Sequence, residues 1–85
     1  MLQGTKSLSG SAARAAEFVA LGLDYSTGRG VPVDLVEAHK WLNLAAMDGN
    51  EEARRLRAEI ARDMTAEEIA DAQRRAREWR QAQIH

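Results

Sequence analysis

Cysteine is missing from the 85-residue sequence, which excludes disulfide bonds and the thiolate ligands of most structural zinc sites. Histidine is nearly missing as well, since only His39 and His85 occur, so we expect no metal site built from protein ligands alone. A chain this short buries a smaller fraction of its surface than a larger domain does. We therefore expect at most one compact domain, held together by packing alone.

An excess of charge of one sign is also lacking. The chain has 12 basic and 13 acidic residues, giving a net charge of −1, so nothing predicts long-range attraction to nucleic acid or to anionic lipid. The longest mostly apolar stretch, residues 15–23, contains Glu17 and is far shorter than the roughly 20 residues that span a bilayer. The first residues also lack the apolar core of a secretory signal. The default expectation is a cytoplasmic location without membrane contact, or a periplasmic one if a leader has been removed.

Periodicity begins after residue 10. Residues 1–10 are rich in Gly and Ser and predict a flexible N-terminal tail. From Ser11 to about Ser26, apolar residues recur at a spacing of three to four, which predicts a first helix. Its predicted inward positions are Phe18, Leu21, Gly22 and Tyr25.

A turn and a second helix follow. Gly28 and Gly30 can adopt positive φ, and Pro32 disfavours helical geometry at the preceding residue. Asp34 is then placed as the N-cap of a helix that begins at Leu35, and Gly49 supplies the left-handed residue that ends it. The predicted inward residues of the second helix are Ala38, Trp41, Leu42, Ala45 and Ala46.

Two further helices are predicted in residues 50–85. Asn50 is placed to cap the third helix, and Thr65 with Glu68 forms the pattern of a capping box before a fourth helix that begins at Ala66. No alternating run of β-branched residues occurs anywhere in the sequence. Helices joined by such short turns predict an all-α fold of antiparallel helical hairpins.

A family resemblance comes from the residues between 21 and 56. The segment resembles one complete Sel1-like repeat, a relative of the tetratricopeptide unit with a longer loop between its helices. The resemblance implies a Sel1-like helix pair over residues 11–49, and residues 50–85 resemble the helical hairpin that closes many bacterial Sel1-like chains. Together these would form an α-solenoid fragment of about four helices. The residues that match the repeat are Leu21, Gly22, Tyr25, Gly28, Gly30, Val31, Asp34, Ala38, Trp41, Ala45, Ala46, Gly49, Ala53 and Leu56.

The small residues of this pattern also have a physical role. Gly22, Ala38 and the pair Ala45-Ala46 let two helix backbones approach closely, which leaves a space for larger side chains to fill. We expect Tyr25 and Trp41 to meet in that space. The interpretation of the chain as a scaffold rests on this contact.

One residue departs from the family pattern. Glu17 stands where such repeats usually carry alanine, so the first helix is expected to sit slightly rotated.

Residues with catalytic potential all have simpler structural explanations. His39 has no second ligand at metal-binding spacing on its helix, and we expect it to be a solvated surface residue. Gly28-Arg29-Gly30 follows a helix and lacks the lysine of a phosphate-binding loop, which favours a turn. The doublets at 51–52 and 67–68 open helices, where negative charge is favourable. We therefore expect no enzymatic activity and no cofactor.

The family resemblance implies a scaffold that binds a protein or peptide through the inner face of its first helix. The residues expected to contact such a partner are Glu17, Ala20, Asp24 and Thr27. If the closing hairpin covers only one side of the repeat, the open side of the first helix is a candidate surface for a homodimer.

Two alternatives remain. The arginine clusters at 54–62 and 74–80 could serve a module associated with nucleic acid, although acidic residues at pairing distance favour a solvated face instead. The chain could also be a purely structural end cap of a longer repeat array.

Overall fold

The computed structural model describes residues 10–83, and all regular structure in this part of the chain is helical. Its four helices are α1 (Gly10–Thr27), α2 (Leu35–Met47), α3 (Glu51–Ala61) and α4 (Ala66–Ala82). The predicted all-α class is confirmed. The predicted N-terminal tail lies outside the described residues apart from Gly10, which opens α1, and residues 84–85 lie outside them too.

Side chains cap the starts of the last three helices, as the sequence predicts. The Asp34 carboxylate accepts a hydrogen bond from the backbone amide three residues later at 3.1 Å, and the Asn50 side chain does the same at 2.8 Å. Thr65 Oγ1 accepts from the Glu68 amide at 3.0 Å, while Glu68 Oε1 accepts from the Thr65 amide at 2.8 Å. These bonds satisfy amide groups that a helix leaves unpaired at its start.

Glycines end α1 and α2. Gly28 and Gly49 have φ of 79° and 91°, a left-handed geometry that is costly for a residue with a Cβ atom. The Gly49 amide donates to the Ala46 carbonyl at 2.9 Å, which closes the last turn of α2. Gly30 also has a positive φ, of 78°. The predicted roles of these residues in the two turns are confirmed.

The second helix lies at the centre of the fold, because α1, α3 and α4 each pack on α2 while α3 and α4 make little contact with each other. Arg75 of α4 pairs with Glu37 near the start of α2 at 2.9 Å. Trp79, one turn later, contacts Trp41, one turn further along α2. The direction of α4 is therefore parallel to that of α2, whereas α1 and α3 are joined to α2 by short turns and run antiparallel to it.

The helices α1 and α2 approach each other closely at Gly22. A Cβ atom placed there would lie 2.7 Å from Leu42 Cγ and 3.3 Å from the Ala38 carbonyl oxygen, both closer than normal contact. Leu42 and Ala38 are fully buried. The prediction that small residues set the spacing of these two helices is confirmed at this position. The other buried residues of the core are Ala15, Phe18, Val19, Leu44, Ala45, Ala46, Ala53, Ala72 and Ala76.

The expected contact between Tyr25 and Trp41 is wrong. The ring of Trp41 packs on Phe18 at a centroid distance of 5.3 Å and on Trp79 at 5.6 Å, and Phe18 and Trp79 are themselves 5.3 Å apart. Tyr25 takes no part in this aromatic cluster. The reason is the position of Tyr25 near the C-terminal end of α1. Its carbonyl oxygen accepts a hydrogen bond from the Asp34 amide at 2.9 Å. Tyr25 therefore lies beside the start of α2 rather than beside Trp41. The scaffold interpretation therefore loses the contact on which it rested.

The inward stripe of α1 also differs from the predicted one. Ala15, Phe18, Val19 and Gly22 are buried, whereas Leu21 is 36% exposed. The spacing i, i+3, i+4 and i+7 is that of one helix face, and it lies to one side of the predicted face. The assignment of Leu21 to the interior is therefore wrong, because α1 turns Val19 towards the core in its place.

Candidate functional site

The four residues expected to contact a partner lie along one stripe of α1. Glu17, Ala20, Asp24 and Thr27 are separated by three, four and three residues, a spacing that keeps them on one side of the helix. Glu17, Ala20 and Thr27 are exposed, and Asp24 is half-buried. The stripe lies opposite the buried stripe that contains Gly22. The helix therefore turns these side chains away from α2.

Two polar groups of this stripe already form hydrogen bonds at the end of α1. Thr27 Oγ1 donates to the Leu23 carbonyl at 2.7 Å. The Asp24 carbonyl oxygen accepts from the amides of Gly28 and Arg29 at 2.8 and 3.0 Å, which closes the helix end. The carboxylates of Glu17 and Asp24 are thus the charged groups that the stripe offers to a partner.

Apolar side chains border the stripe. Leu21 and Leu23 are 36% and 38% exposed, so each leaves part of its apolar surface open to solvent. Ala13 and Ala16 are exposed on the same side, so the helix presents a smooth surface with little side-chain volume. We call the surface formed by residues 13, 16, 17, 20, 21, 23, 24 and 27 the α1 outer face. The two leucines were missed as surface residues because periodicity alone does not fix the rotation of a helix on its neighbour.

His39 is not the surface residue that the sequence indicates. Its residue surface is 3% exposed, and its Nδ1 atom has no hydrogen-bond partner. Burial lowers the pKa of His39 below 6.5, and the positive charge of Arg57 lowers it further. The guanidinium of Arg57 donates to Asn43 Oδ1, which lies one turn after His39 on α2. The helices that pack on α2 thus bury His39, at a position that the sequence pattern predicts to be exposed.

The buried His39 predicts a stability that depends on pH. A lowered pKa means that the unfolded chain binds the proton more readily than the folded one, so this contribution is complete above about pH 6.5 and is lost as the pH falls through the folded-state pKa. We expect the free energy of unfolding, measured with urea, to fall between pH 7.5 and 5 in the wild type. His39→Leu should flatten this dependence. Identical pH profiles for wild type and His39→Leu would contradict the assignment.

Four of the seven arginines of α3 and α4 pair with carboxylates on their own helices, as the sequence indicates, whereas Arg57, Arg77 and Arg80 have no such pair within residues 10–83. Arg55 lies 3.8 and 3.7 Å from carboxylates three residues before and four residues after it. Arg74 pairs in the same way with Asp71 and Glu78, and these two carboxylates raise its pKa. Arg75 bridges Asp71 and Glu37. These charges are largely neutralised locally.

Other classes of site are not apparent among residues 10–83. In that range no three acidic or imidazole side chains cluster in a way that could hold a metal ion. None of the four helices combines the length and the apolar character needed to cross a bilayer. Comparison with protein-family models, with curated proteins and with solved structures gives no match. The interpretation of this chain therefore depends on its own residues and geometry.

Proposed function

We propose that this chain is a non-catalytic helical scaffold of the Sel1-like kind, which binds a protein partner through the α1 outer face. The observation that carries the proposal is the stripe of exposed alanines on one side of α1, bordered on one edge by the partly exposed Leu21 and on the other by the partly exposed Leu23. A helix pair cannot cover both of its faces, and repeat proteins bury the open face against a neighbouring helical unit. A partner that presents a helix fits this smooth surface.

The sequence pattern of a Sel1-like repeat supports the same proposal. The loop that carries Gly28 and Gly30, the cap at Asp34 and the close approach at Gly22 are consistent with such a helix pair. The aromatic contact expected for Tyr25 no longer contributes. The proposal therefore depends on the exposed surface of α1 rather than on the aromatic packing of the hairpin.

Two matched variants test the role of the α1 outer face. Ala20→Arg adds a long charged side chain at the centre of the face, and Ala70→Arg makes the same change at an exposed position of α4. Wild type and both variants would be used for affinity capture from the native cell with quantitative mass spectrometry. We expect a partner that wild type and Ala70→Arg retain and that Ala20→Arg loses. Equal retention by the two variants would contradict the proposal.

The same variants also address self-association. Analytical ultracentrifugation of the purified wild type would reveal a homodimer, and its loss in Ala20→Arg alone would identify the second copy as the partner. If neither capture nor ultracentrifugation detects any partner, the interpretation as a structural end cap is favoured.

A nucleic-acid module is the second candidate function, because some arginines of α3 and α4 lack carboxylate partners in the described part of the chain. Fluorescence anisotropy with random oligonucleotides separates the two functions. Nucleic-acid binding would weaken steeply as salt rises, whereas a protein scaffold should not bind such oligonucleotides at all.

A further inference from the structure

A second open surface lies on the other side of α2. Met47 follows Ala38 by nine residues, which at 100° per residue places the two on opposite sides of the helix. Ala38 lies against Gly22 of α1, so Met47 points away from α1. The side chain emerges between α3 and α4, which pack on α2 without closing over it, and Met47 remains 44% exposed.

Two cavities meet at Met47. One, of about 500 Å³, extends along α4, and the other, of about 330 Å³, extends towards α3. We define the Met47 groove as Met47 together with four of the five arginines that line these cavities, leaving out Arg74, which is paired with Asp71 and Glu78. Those arginines are Arg54 and Arg57 of α3 and Arg77 and Arg80 of α4.

The groove carries positive charge that this part of the protein does not neutralise. Within residues 10–83, Arg57, Arg77 and Arg80 have no carboxylate at ion-pair distance: Arg57 donates to the neutral Asn43, and Arg80 Nη1 lies 3.1 Å from Met47 Sδ. This contrasts with Arg55 and Arg75, which are paired.

Two carboxylates near the groove, those of Glu51 and Glu78, neutralise its positive charge only in part. Arg54 lies 3.9 Å from Glu51, and both side chains are largely exposed, so this pair is weak. The nearby Glu78 is already held by Arg74.

We infer that the Met47 groove binds an acidic peptide segment in which carboxylates flank one apolar side chain. Arginine forms paired hydrogen bonds with carboxylates, and the flexible thioether of methionine adapts to different apolar side chains. Arginines on both α3 and α4 can bind carboxylates on either side of a residue that contacts Met47. This surface lies away from the α1 outer face and is independent of the proposed function.

An acidic peptide fits the groove better than a nucleic acid does. Stacking on aromatic rings provides much of the affinity for single strands, and no aromatic side chain lines either cavity.

Fluorescence anisotropy with labelled peptides tests the inference. The first probe is a short peptide in which one leucine is flanked by glutamates, and the comparison probes replace leucine by serine or glutamate by lysine. We expect the first probe to bind and both replacements to weaken it. Arg77→Glu should reduce the affinity by about tenfold, because it replaces an attractive charge beside a peptide carboxylate with a repulsive one. Arg55→Glu, a charge reversal on an arginine outside the groove, should leave the affinity nearly unchanged.

Several outcomes would overturn the inference. Equal weakening by Arg77→Glu and Arg55→Glu would indicate nonspecific attraction. Equal binding of the leucine and serine probes would remove the role of Met47, and a labelled oligonucleotide that binds more tightly than the peptide would favour nucleic acid. No binding of the glutamate-leucine peptide up to about 1 mM, the range of very weak contacts, would also overturn it. Helix content by circular dichroism verifies that each variant is folded, and Met47→Ser gives an independent loss of the apolar contact.

Discussion

Replacing Phe18 with alanine is expected to destabilise the protein by about 3–5 kcal/mol, the range for truncation of a buried aromatic side chain. Phe18 is buried and contacts both Trp41 and Trp79, so it joins α1 to α2 and α4 at one point. A single core of this size rarely supplies more than about 5 kcal/mol. The variant should therefore lose most of its helical circular dichroism signal at room temperature, and its urea midpoint should approach zero.

Tyr25→Ala is the matched control for Phe18→Ala. Tyr25 is half-buried on the same helix and makes no ring contact among the described residues, so its truncation should cost only about 1 kcal/mol. The pair of variants distinguishes two packings of one helical hairpin: the observed one, centred on Phe18, and the one expected from the Sel1-like pattern, centred on Tyr25. A larger loss for Tyr25→Ala than for Phe18→Ala would favour the latter.

Local features of this fold could be predicted from the sequence because neighbouring residues determine them. The caps at Asp34, Asn50 and Thr65 need only a side-chain oxygen and an amide a few residues away. The ends of α1 and α2 need a residue that tolerates positive φ, which Gly28 and Gly49 provide. Both ends of α1 and the starts of α2, α3 and α4 accordingly agree with the prediction to within about one residue.

Features that depend on the rotation and packing of whole helices could not be predicted in the same way. Leu21 and Val19 are both apolar and two residues apart, and only contact with α2 determines which of them is buried. His39 looks polar and exposed on an isolated helix, but packing on α2 buries it. Met47 illustrates the converse case: it remains exposed because α3 and α4 each pack on α2 but make little contact with each other.

The two candidate surfaces also differ in how far the sequence alone can predict them. The partner residues assigned to α1 follow from one helical stripe, so helical spacing in the sequence is enough to group Glu17 with Ala20. The Met47 groove combines arginines from α3 and α4 with the end of α2, and the sequence separates Arg57 from Arg77 by 20 positions. Only the parallel placement of α4 beside α2 brings these groups to one surface. The sequence pattern therefore reveals the arginines but not the apolar residue that lies between them.

The close approach of α1 and α2 gives the second large expected effect. Leu42 is 1% exposed and lies against Gly22, so Leu42→Ala should destabilise the protein by about 2–5 kcal/mol. Gly22→Ala alone should also destabilise, by about 1–3 kcal/mol, since its methyl group would lie 2.7 Å from Leu42 Cγ. Gly10→Ala, on the same helix with no atom within 4 Å of the added methyl, should change stability by no more than about 0.5 kcal/mol.

The double variant tests the contact itself rather than either residue. In a Leu42→Ala background the methyl group added at Gly22 no longer meets Leu42 and enters the space that Leu42 has vacated. Alanine also favours a helix over glycine by about 1 kcal/mol, while the carbonyl oxygen of Ala38 still lies 3.3 Å from the added carbon, so Gly22→Ala should destabilise clearly less in this background than in the wild type. Urea unfolding of the four proteins in this cycle gives the interaction energy between the two sites. Additive effects would mean that Gly22 and Leu42 are not in contact and that α1 and α2 are held apart by other residues.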